Sequence, residues 1–294
     1  MKNNLLFGIV FLLLLSSCQP QSHDHTLRIS ATNWIGYTPL FYAKEKGSLD
    51  LINIKLTNVV SLSENMYLYK AGNSDAFCGT QYEHSILSSQ MPNLVPIILF
   101  DRSNGGDMIM SNHSISELQN SASQIDTYLE MDSINFTILN DFIDKFNLDE
   151  SRINYIDRDQ NEISSLQNTE PSKLVLIVTY IPYDTKLNKN GFKEILSTKN
   201  GLDLLVIDAL FTHQEEFKQH KKQFIALKAL VDEAILSLHA NPKEYYDTIK
   251  PYFSGLSYEE FVNDLNDIEW INQNIDQALK IRLQESSFST KDLL

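Results

Sequence analysis

The sequence predicts an α/β protein of two lobes, each a mostly parallel sheet flanked by helices, with a helical C-terminal part. Short β-rich segments alternate with segments of helical periodicity, which is typical of parallel sheets covered on both faces. The segment Leu174–Tyr180, LVLIVTY, is apolar almost throughout, as expected of a strand buried on both faces. The 294 residues contain no Pro/Gly/Ser-rich linker, so two lobes would be joined by ordered crossings.

The first part of the chain alternates strands and helices. A helix ends at Gly47, and the capping box Ser61-Leu62-Ser63-Glu64 begins another helix, which ends at Gly72. The predicted strands cover residues 27–30, 52–60, 76–79, 94–100 and 108–111, and the predicted helices cover 39–46, 62–71 and 82–88.

A similar set of elements follows. Residues 134–146 place Ile138, Leu139 and Phe142 on one helical face. Strands are predicted over 152–156, 174–180 and 202–207, and the rest of the chain is predicted to be mainly helical. The expected organisation is a signal peptide at 1–17, a tether at 18–26, a first lobe of 27–111 and 205–294, and a second lobe of 112–204. The two crossings are expected near Ser111 and near residues 201–208.

The N-terminus carries an export signal. Lys2, the apolar run of residues 5–15 and the small residues before Cys18 describe a secretory signal peptide, and the run is about half as long as a membrane span. The sequence Leu15-Ser16-Ser17-Cys18 resembles the bacterial lipobox. That resemblance implies that Cys18 becomes the first mature residue and carries lipid, which would anchor the protein to a bacterial membrane, facing the periplasm or the exterior. An ordinary cleaved signal with an incidental cysteine is the alternative.

Composition excludes several classes of protein. The formal charge is −14 and no basic cluster is present, which argues against nucleic-acid binding. If Cys18 is acylated, Cys78 has no disulfide partner and is expected to be a small buried hydrophobe. The sequence has no C-x-x-C pair and no histidine cluster with metal-ligand spacing, so neither a metal nor a cofactor is expected.

The candidate ligand-binding residues follow the predicted strands. Ligands of α/β sheets bind beyond the carboxyl ends of strands, where free N–H groups of helix starts also converge. Trp34 and Tyr37 offer flat faces with polar tips, and Gly36 would allow close approach of the backbone. The full set is Asn33, Trp34, Gly36, Tyr37, Ser61, Thr80, Gln81, Asp101, Ser103, Asn104, Asp107, Asp132, Ser133 and Tyr180.

Structural roles also explain some of these residues. Ser61 fits a helix cap, and Trp34 fits a buried core residue. Asp101 and Asp107 fit a turn around Gly105-Gly106, and Tyr180 fits packing between lobes.

The segment 33–47, NWIGYTPLFYAKEKG, resembles the first strand and helix of solute-binding proteins for nitrate, sulfonates, taurine and thiamine precursors. The segment 101–107, DRSNGGD, resembles the D-x-S-x-G-x-D segment of one branch of that group, and the resemblance extends over residues 27–250. It implies a type II periplasmic-binding-protein fold, a ligand held in the interlobe cleft by hinge closure, and an ABC permease and ATPase as partners.

The predicted function is capture of a small polar organic molecule for an ABC importer. Carboxylates at Asp101 and Asp107 favour a sulfonate-like or taurine-like zwitterion, an aminopyrimidine or another amine-bearing solute over a bare anion. A ligand sensor for a membrane signalling partner is the alternative. An enzyme on the same fold is less favoured because the sequence has no G-x-S-x-G elbow, and His84 has no paired nucleophile.

Overall fold

The computed structural model describes residues 26–202, 204–273, 275, 277–285 and 288–294. The predicted signal peptide and the lipidation site Cys18 lie outside these residues. Within them, the strands are β1 (Leu27–Ala31), β2 (Ile54–Asn58), β3 (Ala76–Thr80), β4 (Leu94–Ser103), β5 (Asp107–Ser111), β6 (Ile125–Leu129), β7 (Ile153–Asp157), β8 (Leu174–Tyr180), β9 (Lys193–Ser197), β10 (Ile207–His213) and β11 (Ile268–Trp270).

The strands form two mixed sheets. The first has six strands in the order β11-β4-β10-β3-β1-β2, and the second has five in the order β7-β6-β8-β5-β9. β1, β2 and β3 are parallel, as are β6, β7 and β8, whereas β10 runs antiparallel between β3 and β4. The predicted two-lobed α/β architecture is confirmed, but the sheets are mixed rather than mostly parallel, because antiparallel pairs are at least as numerous as parallel ones in each.

Helices flank both sheets. The α-helices are α1 (Thr38–Glu45), α2 (Ser48–Leu51), α3 (Leu62–Lys70), α4 (Gln81–Ser88), α5 (Ile115–Asn120), α6 (Ile134–Phe146), α7 (Gln160–Ile163), α8 (Tyr183–Lys189), α9 (Gln214–Gln219), α10 (Lys221–Ala240), α11 (Pro242–Ile249), α12 (Tyr258–Asp264) and α13 (Gln277–Glu285). Short 3-10 turns cover Ile35–Tyr37, Glu150–Arg152, Lys250–Tyr252 and Leu265–Asp267. Over the described part of the chain, each helix is too short or too polar to traverse a bilayer.

Local sequence explains the main elements. β3 and β5 are buried at every position, and β4 and β8 at all but one, which agrees with their apolar runs. The Oγ atom of Ser61 accepts the Glu64 N–H at 3.0 Å, so the predicted helix start at this serine is confirmed. α6 buries the predicted face that includes Ile138 and Phe142.

Two passages of the chain connect the sheets. β4 ends at Ser103 and β5 begins at Asp107, so the first passage lies at residues 104–106, ahead of the expected position near Ser111. The return passage lies between β9 and β10. The C-terminal part then returns to the first sheet, where β11 pairs with β4 and the Leu294 N–H donates to the Ile97 carbonyl at 2.9 Å.

The structure differs from the predicted elements at β10. The predicted strand at 202–207 contains only the first residue of β10, which continues to His213. Leucine-rich residues 202–206 match strand composition, but an antiparallel strand between two others is defined by its tertiary partners. β6, β9 and β11 were not predicted, because all three are short and none is apolar throughout.

Candidate functional site

A small cavity lies between the two sheets, at the point where their strand ends face each other. Its volume is about 10 Å³, close to the minimum that holds one water molecule. Eight residues line it, and they come from both sheets and from two helix starts: Thr32, Trp34, Leu62, Thr80, Asp107, Ile134, Tyr180 and Asp208.

Three polar atoms of these lining residues lack hydrogen-bond partners among the described residues. They are Thr32 Oγ1, Asp107 Oδ2 and the Tyr180 hydroxyl. Thr32, Asp107 and Tyr180 are only 1%, 3% and 2% exposed, so water does not supply the missing hydrogen bonds. A buried polar atom without a partner costs free energy, about 1–3 kcal/mol. The cavity therefore offers polar atoms to a ligand that supplies matching groups.

Strand register creates the first-lobe wall. Asp208 of β10 lies opposite Thr80 of β3 on one side and opposite Asp101 of β4 on the other. Because β10 lies between β3 and β4, the carboxyl groups of Asp101 and Asp208 lie beside each other at one end of the sheet. Burial raises the pKa of Asp101 well above its usual range, and Asp107 adds to the effect. Burial and the neighbouring Asp101 raise the pKa of Asp208 in the same way.

The loop after β1 contacts this acidic pair. The indole Nε1 of Trp34 donates to Asp101, at 3.1 Å from Oδ1. A Cβ atom on Gly36 would lie 1.7 Å from Asp101 Oδ2, so this glycine is required for the close approach of the aspartate. The Tyr37 hydroxyl donates to Asp208, and the tyrosine ring packs 5.4 Å from that of Phe100. Gly36 and Tyr37 thus support the acidic wall, while Trp34 also reaches the cavity.

The second-lobe wall comes from β5 and β8. Asp107 begins β5 and lies directly opposite Tyr180, the last residue of β8. The Asp107 backbone N–H donates to Ser103 Oγ at 2.9 Å, which fixes the turn between the lobes. Burial raises the pKa of Asp107 to about 7, opposed by the Ser103 hydrogen bond. The rings of Tyr180 and Trp34 meet edge to face across the cleft, with centroids 5.9 Å apart.

The structure brings Trp34, Thr80, Asp107 and Tyr180 together around the cavity, with Asp101 directly behind Trp34. Three other candidates, Gln81, Asn104 and Ser133, lie outside the cavity lining and make structural contacts. The Gln81 side chain binds the Leu205 carbonyl and the Ile207 N–H, and the Asn104 N–H donates to the Asp267 carbonyl at 2.9 Å. Ser133 caps α6.

Three further candidates lie at the cleft rim or on the surface. Asn33 lines an outer groove of about 460 Å³ between the lobes. Ser61 lines another groove, of about 270 Å³. Asp132 is exposed and accepts the Tyr67 hydroxyl. Their assignment as ligand-binding residues stays a prediction.

Four lining residues were not predicted: Thr32, Leu62, Ile134 and Asp208. Asp208 directly follows the predicted strand at 202–207, so the strand-end argument applied to that strand would have found it. Leu62 and Ile134 reach the cavity from helix starts, and their apolar side chains give no functional signal in the sequence. No group of three or more His, Cys, Asp or Glu side chains in the described residues is arranged to hold a metal ion.

Comparison with known proteins finds similarity to solved structures but no match by sequence. No family model matches the sequence, and no curated protein matches it. The ligand-binding component of an ABC-type import system from Staphylococcus aureus, solved with zinc bound, is similar with a TM-score of 0.70, at 12% identity over 88% of this chain and 90% of that one.

Two sulfonate-binding proteins are also similar. The periplasmic aliphatic sulphonate binding protein SsuA from Escherichia coli gives a TM-score of 0.68, at 11% identity over 89% of this chain and 90% of that one. The alkanesulfonate-binding protein SsuA from Xanthomonas axonopodis pv. citri, bound to MOPS, gives 0.67, at 12% identity over 91% and 95%. At these identities the likeness shows the fold alone, and this chain has the two-lobed fold of the periplasmic solute-binding proteins.

Proposed function

We propose that the protein is the substrate-binding lipoprotein of an ABC importer and that it captures a small polar organic molecule bearing an amine or another N–H donor. The observation that supports this ligand class is the interlobe cavity, where Asp107, Asp208 and two unpartnered hydroxyl oxygens face one space. No lysine, arginine or histidine is among its lining residues. A ligand that carries positive charge or N–H donors would compensate these groups, whereas a bare anion has no donor to offer them.

Capture requires the lobes to separate. The cavity of about 10 Å³ is smaller than any organic solute, so the lobes would have to move apart to admit one. Ion pairs cross the rim of the cleft: Lys189 with Glu260 at 2.7 Å and Lys199 with Asp267 at 3.1 Å. Exposed pairs of this kind contribute little, about 0–1 kcal/mol each, so they allow hinge opening.

A thermal-shift screen of the mature soluble part tests the ligand class. The panel is taurine, alkyl sulfonates, nitrate, aminopyrimidines, polyamines and amino acids. A ligand present at about 100 times its dissociation constant raises stability by about 2.7 kcal/mol. We expect amine-bearing compounds to raise the melting temperature and expect Asp107→Asn to reduce that shift. Stabilisation by nitrate, with no response to any amine, would contradict the proposed ligand class.

Two further experiments test the compartment and the partner. Replacement of Cys18 by serine should abolish fatty-acid labelling and membrane attachment, and survival of both would refute the lipoprotein assignment. Deletion of the gene should abolish uptake of a labelled ligand if the protein serves a permease and ATPase. Normal uptake in the deletion strain would favour the sensor alternative.

A further inference from the structure

Two buried glutamates cross between the lobes in opposite directions. Glu83 lies in the first turn of α4 in the first lobe, and its Oε1 accepts the Ile134 N–H, at the start of α6 in the second lobe, at 3.0 Å. Glu130 follows β6 in the second lobe, and its Oε2 accepts the Leu62 N–H, at the start of α3 in the first lobe, at 3.4 Å. The two residues are 0% and 2% exposed.

Each carboxyl group also binds the backbone of its own lobe. The second oxygen of Glu83 accepts the Thr80 N–H at 2.8 Å and the Thr80 hydroxyl at 2.5 Å. The second oxygen of Glu130 accepts the Gln160 N–H at 3.2 Å. Both glutamates therefore connect backbone N–H groups of one lobe to those of the other.

These contacts fill positions that suit an anion. The first N–H groups of a helix lack partners within the helix, and the helix dipole favours negative charge there. Leu62 and Ile134, whose N–H groups the glutamates bind, both line the interlobe cavity. These two N–H donors, which could otherwise bind an anionic ligand group, are thus already bound by the protein's own side chains.

We propose that Glu83 and Glu130 determine the specificity of the cleft by placing the protein's own carboxyl groups on these N–H donors: they close the lobes without an anionic ligand and exclude sulfate and sulfonates that carry no amine. The proposal rests on the proposed function only in taking the cleft as the binding site. Burial raises the pKa of Glu130 to about 8, although the hydrogen bonds from the Leu62 and Gln160 N–H groups lower it. In either protonation state the carboxyl group occupies the space in front of the Leu62 N–H, so the exclusion is also steric.

The test compares wild type with Glu83→Ala and Glu130→Ala in the full mature chain. Calorimetry measures binding of methanesulfonate, sulfate and methylamine, and small-angle scattering measures lobe opening. Wild type should show no methanesulfonate binding at millimolar concentration. Each variant should shift toward the open form and gain at least about tenfold in methanesulfonate affinity, because N–H donors are freed and a carboxyl group is removed.

Glu117→Ala is the matched control. Glu117 forms the same kind of capping box, with the Ser114 N–H at 2.8 Å, but it is exposed and lies at the start of α5 within the second lobe. It should change neither scattering nor anion binding. If Glu83→Ala fails to fold, Glu83→Asp retains the charge, shortens the side chain and should still open the lobes.

The outcomes separate the two proposals. Methanesulfonate binding by wild type, or no gain by folded Glu83 and Glu130 variants, overturns the proposed role of the two glutamates. Failure of methylamine and all other amines to bind wild type, together with the expected gain by the variants, overturns the amine ligand class and leaves the role of the two glutamates supported.

Discussion

Trp34 donates its indole N–H to Asp101, and both residues are buried at the edge of the interlobe cavity. The first residue follows β1 and the second lies in β4, so the bond joins the loop after β1 to the acidic end of the first sheet. Trp34 also contacts Tyr180 of the second sheet. The Trp34 ring therefore contacts both the acidic end of the first sheet and the second lobe.

Trp34→Phe should destabilise the protein by about 1–3 kcal/mol, because a buried carboxyl group loses its donor. Urea unfolding measures the change in the free energy of unfolding. The chain has two tryptophans, and Trp270 lies half-buried in β11. Trp270→Phe is therefore the control, and its remaining Trp34 fluorescence should change on ligand binding. Equal stability of Trp34→Phe and wild type would contradict a structural role for the Trp34–Asp101 bond.

Gly36→Ala should disrupt the same contact through crowding. The added methyl group would overlap Asp101 Oδ2 and would lie 2.5 Å from Trp34 Nε1. Overpacking of this kind costs about 1–3 kcal/mol. Gly79→Ala is a graded control, because its Cβ would lie 3.1 Å from the Phe77 ring. The loss measured by thermal unfolding should be larger for Gly36, and the reverse order would show that the loop after β1 relaxes easily.

The stability of the ligand-free protein should fall as pH rises from about 4 to about 8. Burial raises the pKa of Asp107 to about 7 and that of Asp264 to about 8. The folded protein therefore binds more protons than the unfolded chain in this window, and it loses stability as these groups ionise. Urea unfolding at about pH 5 and about pH 8 measures the difference.

Asp264→Asn is the matched variant for this pH dependence. Asp264 is buried beside Asp184, Asp267 and Glu260, which raise its pKa further, and it lies outside the cavity. Its replacement should make the fall in stability shallower without changing ligand binding. The pKa of Glu260, which binds Lys189, is lowered to about 2, so its contribution is lost only below the window. Stability that rises with pH would contradict this assignment.

Tyr180→Phe should weaken ligand binding without lowering the stability of the protein. The Tyr180 hydroxyl has no partner in the described residues, so its removal should leave the free energy of unfolding unchanged or slightly increased. Amine binding measured by calorimetry should weaken. The control is Tyr245→Phe, because the Tyr245 hydroxyl is buried and donates to Thr38 at 3.2 Å. That variant should lose stability and keep binding, and identical behaviour of the two variants would argue against a ligand at Tyr180.

The fold class could be predicted because it depends on patterns among residues that are close together in the chain. Apolar runs such as β8, the cap at Ser61 and the periodic face of α6 appear in the structure as expected. The position of β10 was not predictable in this way. Its place between β3 and β4 depends on contacts between residues far apart in the chain, which periodicity does not reveal.

The residues that line the interlobe cavity could be predicted only in part from the sequence. Strand-end reasoning found Trp34, Thr80, Asp107 and Tyr180, because these residues lie at or just beyond the ends of strands. Asp208 was missed because the strand-end argument was not applied to the predicted strand at 202–207, which it directly follows. The interlobe role of Glu83 and Glu130 depends on how the lobes meet, and a single sequence shows only that Glu83 follows Thr80 at capping distance.

The place of β10 also bears on synthesis. A nascent chain that has reached residue 200 contains every strand of the second sheet, while β3 and β4 still lack the strand that lies between them. The central part of the protein can therefore fold first, as a unit of mostly local contacts. The first sheet remains incomplete until the C-terminal residues emerge, because β11 pairs with β4 and Leu294 binds Ile97.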